Sequence, residues 1–116
     1  MHLDDMTDTE LWTLADAMMD NLMAASTAID HAGHTRDFTP RLKNLVTPEY
    51  LQQVCRQYQQ EKGFFTQRSP VALFRRPDSV AFVWRQGFSR VAGDYVAELV
   101  LVHADEGWLI DHVMVF

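Results

Sequence analysis

His112 is the residue of this chain best suited to acid–base chemistry, because an imidazole changes charge near neutral pH and can both take and give a proton. It sits in the closing phrase Gly107-Trp108-Leu109-Ile110-Asp111-His112-Val113-Met114-Val115-Phe116, which reads as a strand of period two. If simple hairpins set the registers, Gln86 lies beside Leu99 and then His112, and Trp84 lies beside Leu101 and then Ile110. Gln86 would then orient a carbonyl while Tyr58 offers a phenolic donor from across a cavity. The competing expectation is a core histidine hydrogen-bonded to Gln86 or to a backbone carbonyl. It carries more weight, since a lone histidine on an apolar face more often serves packing.

Three other groupings invite chemistry and are outweighed by structural readings. Glu98 and Asp111 would share a sheet face and could act as paired carboxylates. Arg85 in the same patch would keep both ionised, so ion pairing is preferred over acid–base work. His31, His34 and Asp37 contain metal-ligand types, but Gly33 interrupts the helix that would fix them, and solvated loop residues are expected instead of a metal site. Cys55 is the only cysteine, which excludes an intrachain disulfide and a cysteine-rich zinc site; its place in a helical apolar stripe points to inert packing. No metal or cofactor is expected.

Helices come first. Thr7 followed by Glu10 is a capping box, so a helix starts at Asp8. Leu11, Leu14, Ala15, Met18, Leu22, Ala25 and Ile29 recur at three- and four-residue steps, with Trp12, Met19 and Met23 widening the stripe toward a stop at Gly33. Thr39-Pro40 and Thr47-Pro48 open a short helix and a longer one, because a hydroxyl cap precedes a proline whose missing amide costs nothing at the first position. The longer one runs to about Lys62, with Leu51, Val54, Cys55 and Tyr58 inward and a glutamine-rich solvent face.

From Phe64 the period becomes two. Phe64 to Gln67 and Val71 to Arg75 are short candidate strands; Val80 to Arg90, Tyr95 to His103 and Trp108 to Phe116 are longer ones, joined by turns at Ala92-Gly93 and at Ala104 to Gly107. One face collects Phe82, Trp84, Gln86, Phe88, Tyr95, Leu99, Leu101, His103, Trp108, Ile110, His112, Met114 and Phe116. A sparse set of polar groups in an apolar wall is what a small-molecule pocket needs. The other face holds Val83, Arg85, Val96, Glu98, Val100, Val102, Leu109, Asp111, Val113 and Val115, too apolar to face water, and a second subunit is the economical cover.

Composition narrows the function classes. A chain of 116 residues, 47% hydrophobic, suits one domain spanning 1–116 with its own core. A net charge of -6 would repel phosphate backbones and anionic lipids, so neither nucleic acid nor membrane is an expected partner. Arg68, Arg75, Arg76, Arg85 and Arg90 are dispersed through the strands and read as a solvated sheet edge. The acidic start Met1-His2-Leu3-Asp4-Asp5 does not resemble a secretory signal, and no apolar run approaches the ~20 residues of a membrane span, so a soluble, cytoplasmic protein is expected.

Helices followed by a curved antiparallel sheet, ending on Asp105-Glu106-Gly107-Trp108-Leu109-Ile110-Asp111-His112-Val113, resemble the nuclear-transport-factor-two-like superfamily, which includes ketosteroid isomerase and the SnoaL-like cyclases. The resemblance covers nearly the whole chain in order of elements. It implies an α+β cystatin-like cone, three N-terminal helices on the sheet, with an enclosed pocket and dimerisation through the outer sheet face. Isomerase members place a Tyr on the first helix, and this helix has none; dehydratase members use His, Asp and Tyr, for which His112, Asp30 or Asp37, and Tyr50 or Tyr58 are available. The expected function is a homodimer binding a small, largely apolar molecule through Trp84, Gln86, Tyr58, Trp108 and His112, with Val100, Val102, Leu109 and Val113 at the dimer interface. The alternatives are an enzyme of SnoaL-like or dehydratase/isomerase type using His112 as general acid or base, and a non-catalytic association domain. An interior filled by Trp12, Met19 and Phe88 would count against a pocket.

Overall fold

The computed structural model describes residues 5–105 and 107–116; the acidic start before Asp5 and Glu106 of the last turn lie outside them. The described residues form four helices, α1 (Asp8–Ala28), α2 (His31–His34), α3 (Pro40–Leu45) and α4 (Pro48–Lys62), followed by four strands, β1 (Phe65–Arg75), β2 (Ser79–Phe88), β3 (Tyr95–Ala104) and β4 (Gly107–Val115). The architecture is α+β, with the helices packed on a curved, unclosed antiparallel sheet of order β1-β2-β3-β4.

The three expected caps form. The Thr7 hydroxyl accepts from the Glu10 amide while the Glu10 carboxylate accepts from the Thr7 amide, and Thr39 and Thr47 accept from Leu42 and Tyr50 with proline at the next position. The end of α1 differs from expectation. Ile29, not Gly33, terminates it with a left-handed φ of 53°, and Asp30 at once caps the short α2, in which Gly33 lies so close to the Asp30 carboxylate that an added Cβ would sit 2.5 Å from it. Three expected helices therefore become four. Val54 of α4 turns to solvent, while Leu51 and Cys55 are buried.

The two short strands expected after Phe64 are one irregular strand, β1, with register shifts on either side of Arg68-Ser69-Pro70. Between β2 and β3 the register is Trp84↔Ala97 and Phe82↔Leu99, not Trp84 beside Leu101. The connection spans 89–94 and not a two-residue turn at Ala92-Gly93, which slides the pairing by an even number of residues and leaves every side chain on its expected face. The core lies between α1 and the inner sheet face: Leu11, Ala15 and Met19 meet Val80, Phe82, Trp84, Ala97, Leu99, Leu101 and Ile110, all essentially inaccessible.

The last strand changes what the site can be. Leu101 pairs with Ile110 and Val100 with His112, so Asp111 is an extra residue, a β-bulge. Beyond it the alternation inverts. Trp108 and Ile110 face the helices as expected, but His112 and Met114 move to the outer face, while Val113 and Val115, expected outside, pack against the core. A chain segment from the helical half pins the bulged strand: Phe38 bridges Ile110, the Thr39 amide donates to the Ile110 carbonyl at 2.9 Å, and the Ile110 amide donates to the Asp37 carbonyl at 2.7 Å.

Candidate functional site

The outer sheet face carries an acid and a base in contact. His112 Nε2 lies 2.7 Å from Glu98 Oε1, with the two side chains 40% and 33% exposed. They reach each other diagonally, because Glu98 pairs with Met114 and Val100 with His112. On the same face lie the partly covered Val83, Val96, Val100, Val102 and Leu109, with Met114 and Phe74 exposed. The face has the apolar character read from the sequence, with His112 in place of Val113.

The bulge itself is held by Asp111. Its carboxylate accepts from the Thr39 hydroxyl at 2.9 Å and from Arg41 Nε at 3.1 Å, and the same guanidinium donates to the Asp111 carbonyl. Partial burial acts to raise the Asp111 carboxyl, but the hydrogen bonds from Arg41 and Thr39 and the positive charge of Arg41 and His112 hold it below the ordinary aspartate value. The expected pairing of Arg85 with Glu98 or Asp111 does not form. Arg85 lies 3.5 Å from Asp94, and each carboxylate has found a nearer partner.

The other expected site residues are scattered through the interior. Trp84 is buried, and its indole donates to Asp16 at 3.0 Å. Gln86 is also fully buried; its amide donates to the carbonyls of Thr66 and Gln67 in the irregular part of β1 and to that of Gly87 in β2, while its Oε1 has no partner among the described residues. Tyr58 Oη lies 2.7 Å from Ser26 Oγ, with the ring against Phe65 and Phe88, and burial pushes the phenol up from its ordinary value. Trp108 packs edge-on against His103. His112 is separated from all four by the sheet.

The space between helix and sheet is occupied. Trp12 makes edge contacts with Phe82 and Trp84 at 5.2 and 5.4 Å, Met19 is wholly buried, and Phe88 is enclosed by Phe65, Tyr58 and Tyr95. Open concavities lie at the margins: one of about 380 Å³ lined by Thr66, Gln67, Arg85, Asp94 and the expected site residue Gln86, and one of about 480 Å³ beside Asp37, Trp108 and Leu109.

The sequence reading missed a polar cluster at the inner edge of the sheet. Arg68, expected at a solvated edge, has a side chain only 12% exposed; it donates to Asp20 at 2.7 Å and Asp16 at 3.2 Å and lies over the Trp84 ring. Asp16 and Asp20 are four apart on α1, so their shared helix face was the available signal. The His31, His34 and Asp37 grouping disperses: His31 Nε2 is 2.8 Å from the Val46 carbonyl, Asp37 pairs with Arg36, and His34 is buried against Phe38. Burial, aided by the charge of His31, lowers the His34 pKa to about 4. Among the described residues no helix is long and apolar enough to cross a membrane.

The same fold occurs in solved structures of low sequence identity. A SEC-C motif-containing protein from Rhodopseudomonas palustris matches 84% of this chain and 75% of its own, with a TM-score of 0.60 and 16% identity. A putative calcium/calmodulin-dependent protein kinase type II association domain from Thiobacillus denitrificans matches 86% of this chain and 91% of its own, with a TM-score of 0.61 and 15% identity. The Bdellovibrio bacteriovorus protein Bd1075 matches 94% of this chain but 42% of its own, with a TM-score of 0.57 and 10% identity. No family model matches the sequence, and neither does any curated protein.

Proposed function

We propose that this chain is a non-catalytic self-association domain of the nuclear-transport-factor-two-like type, pairing with a second copy through the outer face of its sheet. The observation that carries this is the state of that face: Val83, Val96, Val100, Val102 and Leu109 are only partly covered, beside exposed Met114 and Phe74. An apolar sheet surface of this kind is stabilised by being covered. Strands of 9 to 11 residues in a four-stranded sheet present a footprint of about 33 Å by about 19 Å, or about 600 Å². That is close to the ~800 Å² per partner of a standard interface once side-chain relief is added. A structural neighbour described as an association domain supports the same use of the fold.

Two finer expectations weigh less. A pocket for a small apolar ligand has in its favour the buried Gln86 Oε1, without a partner among the described residues, and the concavity that Gln86 lines, but the interior beside Trp84 is filled by Trp12. Acid–base catalysis by His112 has a carboxylate within reach in Glu98, yet on the outer sheet face, where neither residue lines either of the marginal concavities.

Sedimentation velocity over a concentration series tests the proposal. The chain should sediment as a dimer, and Val100→Asp or Val102→Asp should sediment as monomers while keeping the native circular dichroism spectrum. Val113, which packs inward, is the contrasting position: its substitution should cost stability before it affects association. An unchanged sedimentation profile in both outer-face variants would overturn the reading.

A further inference from the structure

The bulge at Asp111 does more than invert a pattern: it places a titratable pair inside the apolar face that the self-association reading, on which this inference rests, would bury. We propose that the His112–Glu98 pair makes association of two copies pH-dependent, with the dimer tightest where His112 is protonated and Glu98 ionised. The pair is joined at 2.7 Å and surrounded by Val96, Val100, Val102, Leu109 and Met114. In the separated chain both groups keep access to water.

Covering the face removes that water, and the outcome then depends on the charge of the imidazole. A carboxylate buried beside a protonated imidazole is a neutral, charge-assisted pair; beside a neutral imidazole it is a lone buried charge, which costs considerably more. Association therefore takes up a proton at each pair. A two-fold interface presents the same patch twice, so each dimer holds two such pairs. Histidine is the side chain whose charge ordinarily changes between about pH 5 and pH 8, which sets the window.

The other charges facing the pair are mutually offset. From β4, Asp111 is adjacent to His112, but its carboxylate is bound by Thr39 and Arg41 from the start of α3. From β2, Arg85 is engaged with Asp94. Glu98 of β3 is left as the acid that His112 answers. His34 does not titrate in the folded chain in this window, because burial lowers its pKa to about 4.

Sedimentation equilibrium on the 116-residue chain at constant ionic strength, at about pH 6 and about pH 8.5, tests the proposal. The dimer dissociation constant should rise by about tenfold to about a hundredfold toward the higher pH, one factor of about ten for each unit of pKa shift at each of two sites. His112→Gln keeps a hydrogen-bonding partner for Glu98 and should remove this dependence. Glu98→Gln leaves the imidazole without its carboxylate, so protonation should now weaken the dimer and reverse the slope. A wild-type dimer whose affinity is constant between the two pH values, or a dependence retained in His112→Gln, would overturn the pH proposal and leave self-association standing. A chain monomeric at both pH values would overturn both.

Discussion

The two faces of β2 and β3 are both largely apolar and end in opposite conditions. On the inner face Val80, Phe82, Trp84, Ala97, Leu99 and Leu101 are no more than 1% exposed, closed over by α1. On the outer face Ala81, Val83, Val96, Val100 and Val102 are only partly covered. Apolar residues on both faces mark a sheet suited to burial on both sides, and the described helices cover one. Truncation separates the faces most sharply. Phe82→Ala should cost about 3–5 kcal/mol, as large-to-small changes in packed cores do. Val83→Ala, one residue along on the outer face, should cost less than about 1 kcal/mol in a dilute, dissociated chain. Urea denaturation measures both, and equal losses would mean that the outer face is already packed within the monomer.

A second contrast is the response to acid. His34 lies behind the inner face, edge-on to Phe38 at 5.3 Å, and Phe38 bridges to Ile110 of β4. Its pKa falls from 6.5 to about 4 on folding, chiefly through burial. The unfolded chain therefore takes up the proton first. Stability from this group is complete above about pH 6.5 and declines as pH falls toward about 4, with a total loss of about 3 kcal/mol. Mild acid should thus loosen the inner packing, whereas on the outer face the fall from about pH 8.5 to about pH 6 should tighten association. Denaturation midpoints followed from about pH 6.5 down to about pH 4, for the wild type and for His34→Leu, test the inner half. The variant should lose most of the acid dependence; an unchanged profile would assign it to other groups.

What was legible in the sequence was local. The Thr7, Thr39 and Thr47 caps are written in neighbouring residues, and each forms as read. The faces of β2 and β3 were legible because an even slip of register preserves alternation, so a wrong pairing for Trp84 still left it inward. His112 was misplaced because Trp108, Ile110, His112 and Met114 alternate without a break, and nothing in that run announces an extra residue. The signal is non-local: the carboxylate that anchors the bulge is held by Thr39 and Arg41, some seventy positions away. The Arg68 cluster was hidden for the same reason, since its acids stand on α1 and its arginine on β1.

The smallest expected effect concerns which of those two partners holds the bulge and so keeps His112 outward. The Thr39 side chain is buried, caps α3 by accepting from the Leu42 amide, and donates to Asp111 at 2.9 Å. Arg41 is 56% exposed and pairs with a carboxylate that is itself 35% exposed. A buried hydroxyl serving two groups should contribute more than a solvated ion pair, in which water competes for both charges and a long side chain must be ordered. Thr39→Val should therefore cost about 1–2 kcal/mol through the lost cap and an unmet carboxylate. Arg41→Ala should cost at most about 0.5 kcal/mol and lose even that in high salt. Urea denaturation gives the two values, and the His112 imidazole resonances report the bulge directly, since slipping it out would carry the ring toward the core. If Arg41→Ala shifts those resonances as far as Thr39→Val does, then the exposed guanidinium, and not the buried hydroxyl, fixes the phase of the last strand.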